Sequence, residues 1–194
     1  MRILVIGAAG RTGRLLVEQA AERGHAVTAL ARRPVPGDHA TVLGDAADPA
    51  VVGPAVAGQD AVVMAVGSSA IVRALAPAMA GAGVSRLVMT SSRSVVATRP
   101  RLLLDVIWWR LRGPYADLCR AEGMLEGGAL DWSVVRATML TDGPRTGRVH
   151  TDFEPDATGG DWKLNRADYA ATLLDVAEDE AMIRRAVGVG GAKR

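Results

Sequence analysis

The stretch Arg2-Ile3-Leu4-Val5-Ile6-Gly7-Ala8-Ala9-Gly10-Arg11-Thr12-Gly13 decides the fold. Its apolar run fits a strand buried on both faces, as in a parallel sheet. A glycine loop follows, and then a helical pattern to Arg23. Leu15, Leu16, Gln19 and Ala20 fall near one face of that helix, and Gly24 supplies its C′ stop. Ala26-Val27-Thr28-Ala29-Leu30-Ala31 is a second short apolar run. The order is strand, glycine loop, helix, turn, strand.

The glycines make this βαβ unit a candidate site. Without a Cβ, Gly7 allows a sharp turn, Gly10 lets a pyrophosphate approach the backbone, and Gly13 lets the helix lie close to the sheet. The helix N-terminus offers free N–H groups and a partial positive charge to phosphates. The spacing is GxxGxxG rather than the commoner GxGxxG, and a glycine turn can be purely structural. Its position between a strand and a helix favours nucleotide binding.

Arg32 lies 19 residues beyond Gly13, in Ala31-Arg32-Arg33-Pro34. An NAD site wants a carboxylate near there for the ribose 2′-hydroxyl. Arg32 and Arg33 suit a 2′-phosphate instead, which guanidiniums grip with paired charged hydrogen bonds. The expected cofactor is therefore NADP(H), unless both arginines are merely solvated.

The composition of the 194 residues, 49% hydrophobic and 23% charged, is that of one globular α/β domain. Net charge is only +2, with 23 Lys and Arg against 21 acids, and no basic block of the nucleic-acid kind. Cys119 is the only cysteine, so no intrachain disulfide forms. The apolar N-terminal run is too short for a signal peptide, and the charge-free runs Ala61–Val72 and Ala74–Ser85 are too short to span a bilayer. The expectation is a cytoplasmic protein, monomer or homodimer, that meets a small-molecule acceptor rather than nucleic acid or membrane.

Further along, Thr41-Val42-Leu43 reads as a strand, and Asp48-Pro49 as an N-cap and N1 opening the helix Ala50–Ala57. Ala61–Val66 is a fourth strand ending at Gly67-Ser68-Ser69. A helix from Ala70 to Ala82 follows, and Arg86–Thr90 is a fifth strand ending at Ser91-Ser92. Repeated strand–helix units predict a single-domain, doubly wound parallel sheet with helices on both faces. Ligands bind at the carboxyl ends of such strands. Those ends carry the glycine loop, Arg32, Asp45, Gly67-Ser68 and Ser91-Ser92. Asp45 could reach an adenine amino group or merely cap the next turn. Ser92 could stabilise charge on an acceptor or merely cap its loop.

Leu102–Leu111, which contains Trp108-Trp109-Arg110, is apolar nearly all round as a helix. It fits a lid over the substrate, a dimer contact or a membrane-surface helix. The substrate-side elements are expected at about 93–115 and 137–165. Ala116–Glu126 is a helix, Leu130–Arg136 a sixth strand and Arg148–Phe153 a short one. Asn165 N-caps Arg166–Ala177, and Ala186–Val189 is the final strand. No metal-ligand cluster and no G-x-S-x-G elbow appear, since His25, His39 and His150 are scattered. Neither Tyr115 nor Tyr169 has a lysine four residues on, so the acid–base Tyr-x-x-x-Lys pair is missing.

Gly7–Gly13, Val27–Arg32, Gly44-Asp45, Ala57–Val62, Thr90-Ser91-Ser92 and Leu140–Gly147 together resemble an atypical short-chain dehydrogenase/reductase. The chain is similar to the NAD(P)H-binding, NmrA-like group, and most similar to its flavin reductase/biliverdin-IXβ reductase-like members. The resemblance implies a Rossmann fold, with Ala9, Gly10, Arg11 and Thr12 at the phosphates and Arg32 at the 2′-phosphate. Asp45 and Ala46 would flank the adenine, and Gly67 and Ser68 the middle of the cofactor. Thr90, Ser92, Thr138 and Met139 would surround the nicotinamide. Met139 stands where those reductases have a His. The implied function is NADPH-dependent hydride transfer to a planar flavin, quinone or tetrapyrrole. The alternative is a non-catalytic NADP(H) sensor of the NmrA kind.

Overall fold

β1 (Arg2–Ile6) lies inside a sheet, paired in parallel with β2 (Ala26–Ala31) on one side and β4 (Ala61–Met64) on the other. The computed structural model describes residues 1–97, 101–154, 156 and 159–192, without the side chains of 101–108. Around this centre stand β3 (Ala40–Leu43), β5 (Arg86–Ser92), β6 (Asp131–Ala137), β8 (Val149–Asp152) and β10 (Arg185–Gly191). The order is β3-β2-β1-β4-β5-β6-β10-β8, parallel except for β8. β7 (Met139–Thr141) and β9 (Lys163–Asn165) form a small parallel pair of their own.

Two cores lie on the two faces of the sheet. One packs α1 (Arg11–Glu22) and α5 (Arg166–Glu178) over Ile3, Val5, Ala29, Val63, Val88 and Val135. The other holds Leu4, Ile6, Val62, Met64, Leu87 and Val134. It also takes side chains from α2 (Pro49–Val56), α3 (Ser69–Ala82) and α4 (Arg101–Glu126). Alternate residues of β1 therefore serve opposite cores, as pleating demands. This is the doubly wound architecture expected from the sequence.

Arg86, at the start of β5, joins several elements and is buried. Its guanidinium donates to the carbonyls of Ala177, Val176 and Asp131 and to Ser133 Oγ. The last carbonyls of α5 thus meet a cation, which suits the negative end of a helix dipole.

The sequence reading needs four corrections. The fourth strand ends at Met64 rather than Val66. The segments read as Leu102–Leu111 and Ala116–Glu126 form one helix, broken at Leu111 (φ −117°, ψ 23°). Asn165 sits at the N-cap of α5 without capping it through its side chain. That amide instead accepts from Thr141 Oγ1 and donates to the Pro144 carbonyl, holding the loop after β7. The β7–β9 pair escaped the reading because three-residue strands carry no periodicity. Asp48 behaves as expected, accepting from Ala50 N–H at 2.9 Å.

Gly13 is the tightest point. A Cβ there would lie 2.2 Å from the Gly7 carbonyl oxygen and 2.7 Å from Ala8 Cα. At Gly10 a Cβ would meet only the Gly7 carbonyl, at 3.2 Å. Gly13→Ala is therefore expected to cost roughly 1–3 kcal/mol, as overpacking of a rigid contact does, and Gly10→Ala clearly less. Urea unfolding of the two variants checks this.

Candidate functional site

The parallel strands β1 to β6 all point their carboxyl ends to one edge. That edge gathers Gly7–Gly13 after β1, Arg32 and Arg33 after β2, and Asp45 and Ala46 after β3. Gly67 and Ser68 follow β4, Thr90 and Ser92 end β5, and Thr138 and Met139 follow β6. Chain order reverses between β1 and β4, which makes this the switch point where such sheets bind ligands.

Helix N-termini at this edge are not equivalent. α2 is capped by Asp48. The N-terminus of α3 is taken by Asp117, whose carboxylate accepts from Ser69 N–H (3.2 Å) and from Ser69 Oγ. These bonds hold the Asp117 carboxyl below its usual pKa, with Arg120 adding to the effect. α5 carries Asp168 in its first turn. α1 has neither a side-chain cap at Gly10 nor an acid in its first turn, and its first backbone bond is Arg14 N–H to the Gly10 carbonyl. Gly7 turns out of β1 at φ +80°, a conformation that favours glycine. An uncapped helix end beneath a glycine loop is a cradle for a pyrophosphate.

The cations around that cradle differ in freedom. Arg11 pairs with Asp142 (3.3 Å), which also binds Arg166, so its side chain is turned to the loop after β7. Arg33 donates to the Ala9 carbonyl at 3.2 Å and lies along the glycine loop. Arg32 is exposed and has no ion-pair partner among the described residues. Thr12 is half-buried on the first turn of α1. Asp45 accepts from Ala47 N–H at 3.0 Å, closing the turn after β3, while its side chain remains exposed. The Ala46 methyl is buried in the core with Val52 and Val56, leaving its backbone to face the edge.

Beyond the glycine loop lies a cleft of about 520 Å³. Its lining includes Val66, Gly67, Thr90, Ser92, Pro114 and Leu118. Ser68, Ser91 and Asp117 border it as well. Gly67 is required by the protein itself, since a Cβ would sit 2.3 Å from Leu118 Cδ2 and 2.7 Å from the Thr90 carbonyl.

Hydroxyl protons in the cleft can be assigned by counting. Tyr169 is fully buried and donates its one proton to the Val135 carbonyl at 2.7 Å. The hydrogen bond between Thr90 Oγ1 and Tyr169 must then use the Thr90 proton. Thr90 thus keeps only acceptor capacity. Ser92 Oγ accepts from Ser94 N–H at 3.3 Å and keeps its own proton to donate. Burial pushes the Tyr169 phenol pKa well up, so it stays neutral.

Around the expected residues Ser91, Thr138 and Met139 stand Glu122, Arg136 and Arg93, which gave no sequence signal. Ser91 donates to Glu122, which is buried and ion-paired with Arg136 at 2.6 Å. Arg93 is buried, donates to the Gly159 carbonyl at 2.6 Å and leaves its Nε without a partner. Burial pulls its pKa down. Thr138 is buried with an unpartnered hydroxyl, and Met139 is exposed. Glu122, Arg136 and Arg93 belong to no local motif, and only tertiary packing brings them to this side.

The lid expected of Leu102–Leu111 is not seen in its described part. The side chains of Leu102 to Trp108 lie outside the described residues, and Trp109 to Arg112 are exposed. The cleft wall comes from the next turns of α4, at Pro114, Asp117 and Leu118. Among the described residues there is no group of metal-binding side chains, and no helix is long and apolar enough to cross a membrane.

Residues 7–180 match the NAD(P)H-binding family, and the chain belongs to it. Solved structures agree on the fold. An anaerobillin reductase from Escherichia coli superposes with a TM-score of 0.86 at 21% identity, covering 100% of this chain and 98% of that one. A short-chain dehydrogenase/reductase from Veillonella parvula, solved with NADP, gives 0.84 at 19% identity, covering 97% and 94%. The oxidoreductase ylbE from Lactococcus lactis gives 0.84 at 20% identity, covering 100% and 92%.

The buried Tyr169 is a structural strut. Tyr169→Phe is expected to lower stability by roughly 1–2 kcal/mol, as the loss of a buried hydrogen bond does, and to leave the pH dependence of any turnover unchanged. Denaturation and a pH–rate profile check both halves.

Proposed function

We propose that this member of the NAD(P)H-binding family is an NADPH-dependent reductase of planar acceptors, namely flavins, quinones or tetrapyrroles. The carrying observation is that, of α1, α2, α3 and α5, only α1 begins with neither a cap nor an acid, and that Arg32 follows the neighbouring strand β2 without an ion-pair partner among the described residues. In the proposed pose the N–H groups of Arg11, Thr12 and Gly13 take the pyrophosphate and Gly10 allows its approach. Arg32 binds the 2′-phosphate, and Arg33 steadies the loop through Ala9. Asp45 and the Ala46 backbone flank the adenine, and Gly67 and Ser68 line the path to the cleft.

The bound nicotinamide supplies the hydride. The chain's own task is to orient and to stabilise charge. Thr90, its proton committed to Tyr169, offers lone pairs. Ser92 offers a proton-bearing oxygen that stabilises charge developing on an acceptor's carbonyl or ring nitrogen. Val66, Pro114 and Leu118 supply apolar walls suited to a flat ring. Thr138 and Met139 close the β6 side, and Met139 brings no ionisable group there. A planar acceptor needs little acid–base help, which accords with a fully buried tyrosine and the missing Tyr-x-x-x-Lys pair.

NADPH is expected to bind at least about tenfold tighter than NADH. Arg32→Ala should remove roughly 1–3 kcal/mol of NADPH affinity, one charged hydrogen-bonding group's worth, and leave NADH nearly unchanged. Titration calorimetry decides this, and equal affinity for the two cofactors in the native protein would overturn the assignment. Ser92→Ala should lower kcat about tenfold to a hundredfold, somewhat less than loss of an optimised oxyanion donor, with NADPH affinity retained. NADPH oxidation with flavins, quinones and biliverdin measures it. Tight NADPH binding with no turnover across that panel would favour the non-catalytic sensor.

A further inference from the structure

The first described side chains of α4 face solvent. All six residues from Trp109 to Pro114 are exposed, Trp109 at 80% and Leu111 at 40%. The backbone leaves helical geometry at Leu111, so the helix makes an elbow there. Arg110 and Arg112 flank Leu111, and neither has an ion-pair partner among the described residues. The sequence from Arg99 to Arg112 holds four arginines against one acid, Asp105.

We infer that this elbow docks on an anionic lipid surface and so places the cleft at the membrane. An indole and guanidiniums side by side match the interfacial layer of a bilayer. The ring sits at headgroup depth while the arginines meet phosphates. Among the described side chains of the elbow, the large apolar ones exposed are one tryptophan and one leucine. Charge attraction with one inserted ring is enough for reversible adsorption to lipid.

The elbow continues directly into the cleft wall. Pro114, Asp117 and Leu118 line the cleft from the same helix. Leu118 lies seven residues beyond the elbow at Leu111, roughly 10 Å along the helix at 1.5 Å per residue. A docked elbow therefore brings the cleft mouth within reach of molecules dissolved in the bilayer. Resting on the proposed reductase reading, this selects a lipid-dissolved quinone among the planar acceptors. NADPH gives the ring a hydride, two electrons and one proton. Solvent gives the second proton, and quinol and NADP⁺ leave.

Flotation of the intact protein with vesicles tests the docking without any turnover. The protein is expected to float with phosphatidylcholine vesicles doped with phosphatidylglycerol, to remain behind with phosphatidylcholine alone, and to be released by salt. Each arginine near an anionic surface is worth roughly fivefold, so Arg110→Glu with Arg112→Glu should weaken partition about 25-fold or more. Trp109→Ala should weaken it as well. All variants should bind NADPH normally, which reports an intact fold. No flotation with anionic vesicles, or equal flotation of the double variant, overturns the inference. A dimer that Trp109→Ala dissociates, seen by light scattering without lipid, also overturns it in favour of a protein contact. Turnover of a long-chain quinone in anionic vesicles should fall in the double variant while that of a short, soluble quinone does not. Flotation with no turnover of either quinone would sustain the docking and overturn the reductase reading instead.

Discussion

Everything at the binding edge depends on how closely α1 approaches the end of β1. Gly13 lies against the Gly7 carbonyl with no room for even a methyl group. This contact sets where the helix begins relative to the strand, and thus where its unpaired N–H groups point. A helix displaced outward by one methyl would carry the same dipole away from the end of β1. The binding edge is a packing result before it is an electrostatic one.

Occupied helix ends sharpen that result. Asp48 and Asp117 satisfy donors that would otherwise compete for an anion. Asp117 comes from α4, far along the chain from the α3 N-terminus it caps. The same carboxylate fixes the wall of the cleft, since Leu118 beside it rests on Gly67. In the proposed pose, the acids at the N-termini of α2, α3 and α5 leave that of α1 to the phosphates. Asp168 works similarly in the loop before β8, accepting from Thr146 and Gly147 and ordering their backbone.

The sheet and its glycine loop were legible because each strand is short, apolar and followed by a turn signal that has one physical meaning. Asp48-Pro49 and Gly24 are of that kind. What could not be read depends on partners distant in sequence. Nothing in Asn165-Arg166-Ala167-Asp168 says that the asparagine will hold Thr141 and Pro144 rather than its own helix. Ser92 was singled out by position, but the assignment of its proton needed Ser94, and that of Thr90 needed Tyr169 and Val135. The apolar run Leu102–Leu111 reads as a cover over the site, a dimer contact or a membrane-surface helix. Its described end faces solvent rather than the cleft, because the elbow at Leu111 separates it from the turns that meet the cleft.

The clasp of Arg86 on the end of α5 bears on how the chain reaches this structure during synthesis. One face of the sheet is covered by α1, made early, and α5, made near the end. Until α5 emerges, Val63, Val88 and Val135 have no roof. Arg86 then has neither the helix carbonyls nor a reason to leave water. Six parallel strands can be present in the nascent chain while one of the two helices that cover this face is still missing. This face of the sheet is therefore closed only when the last helix arrives.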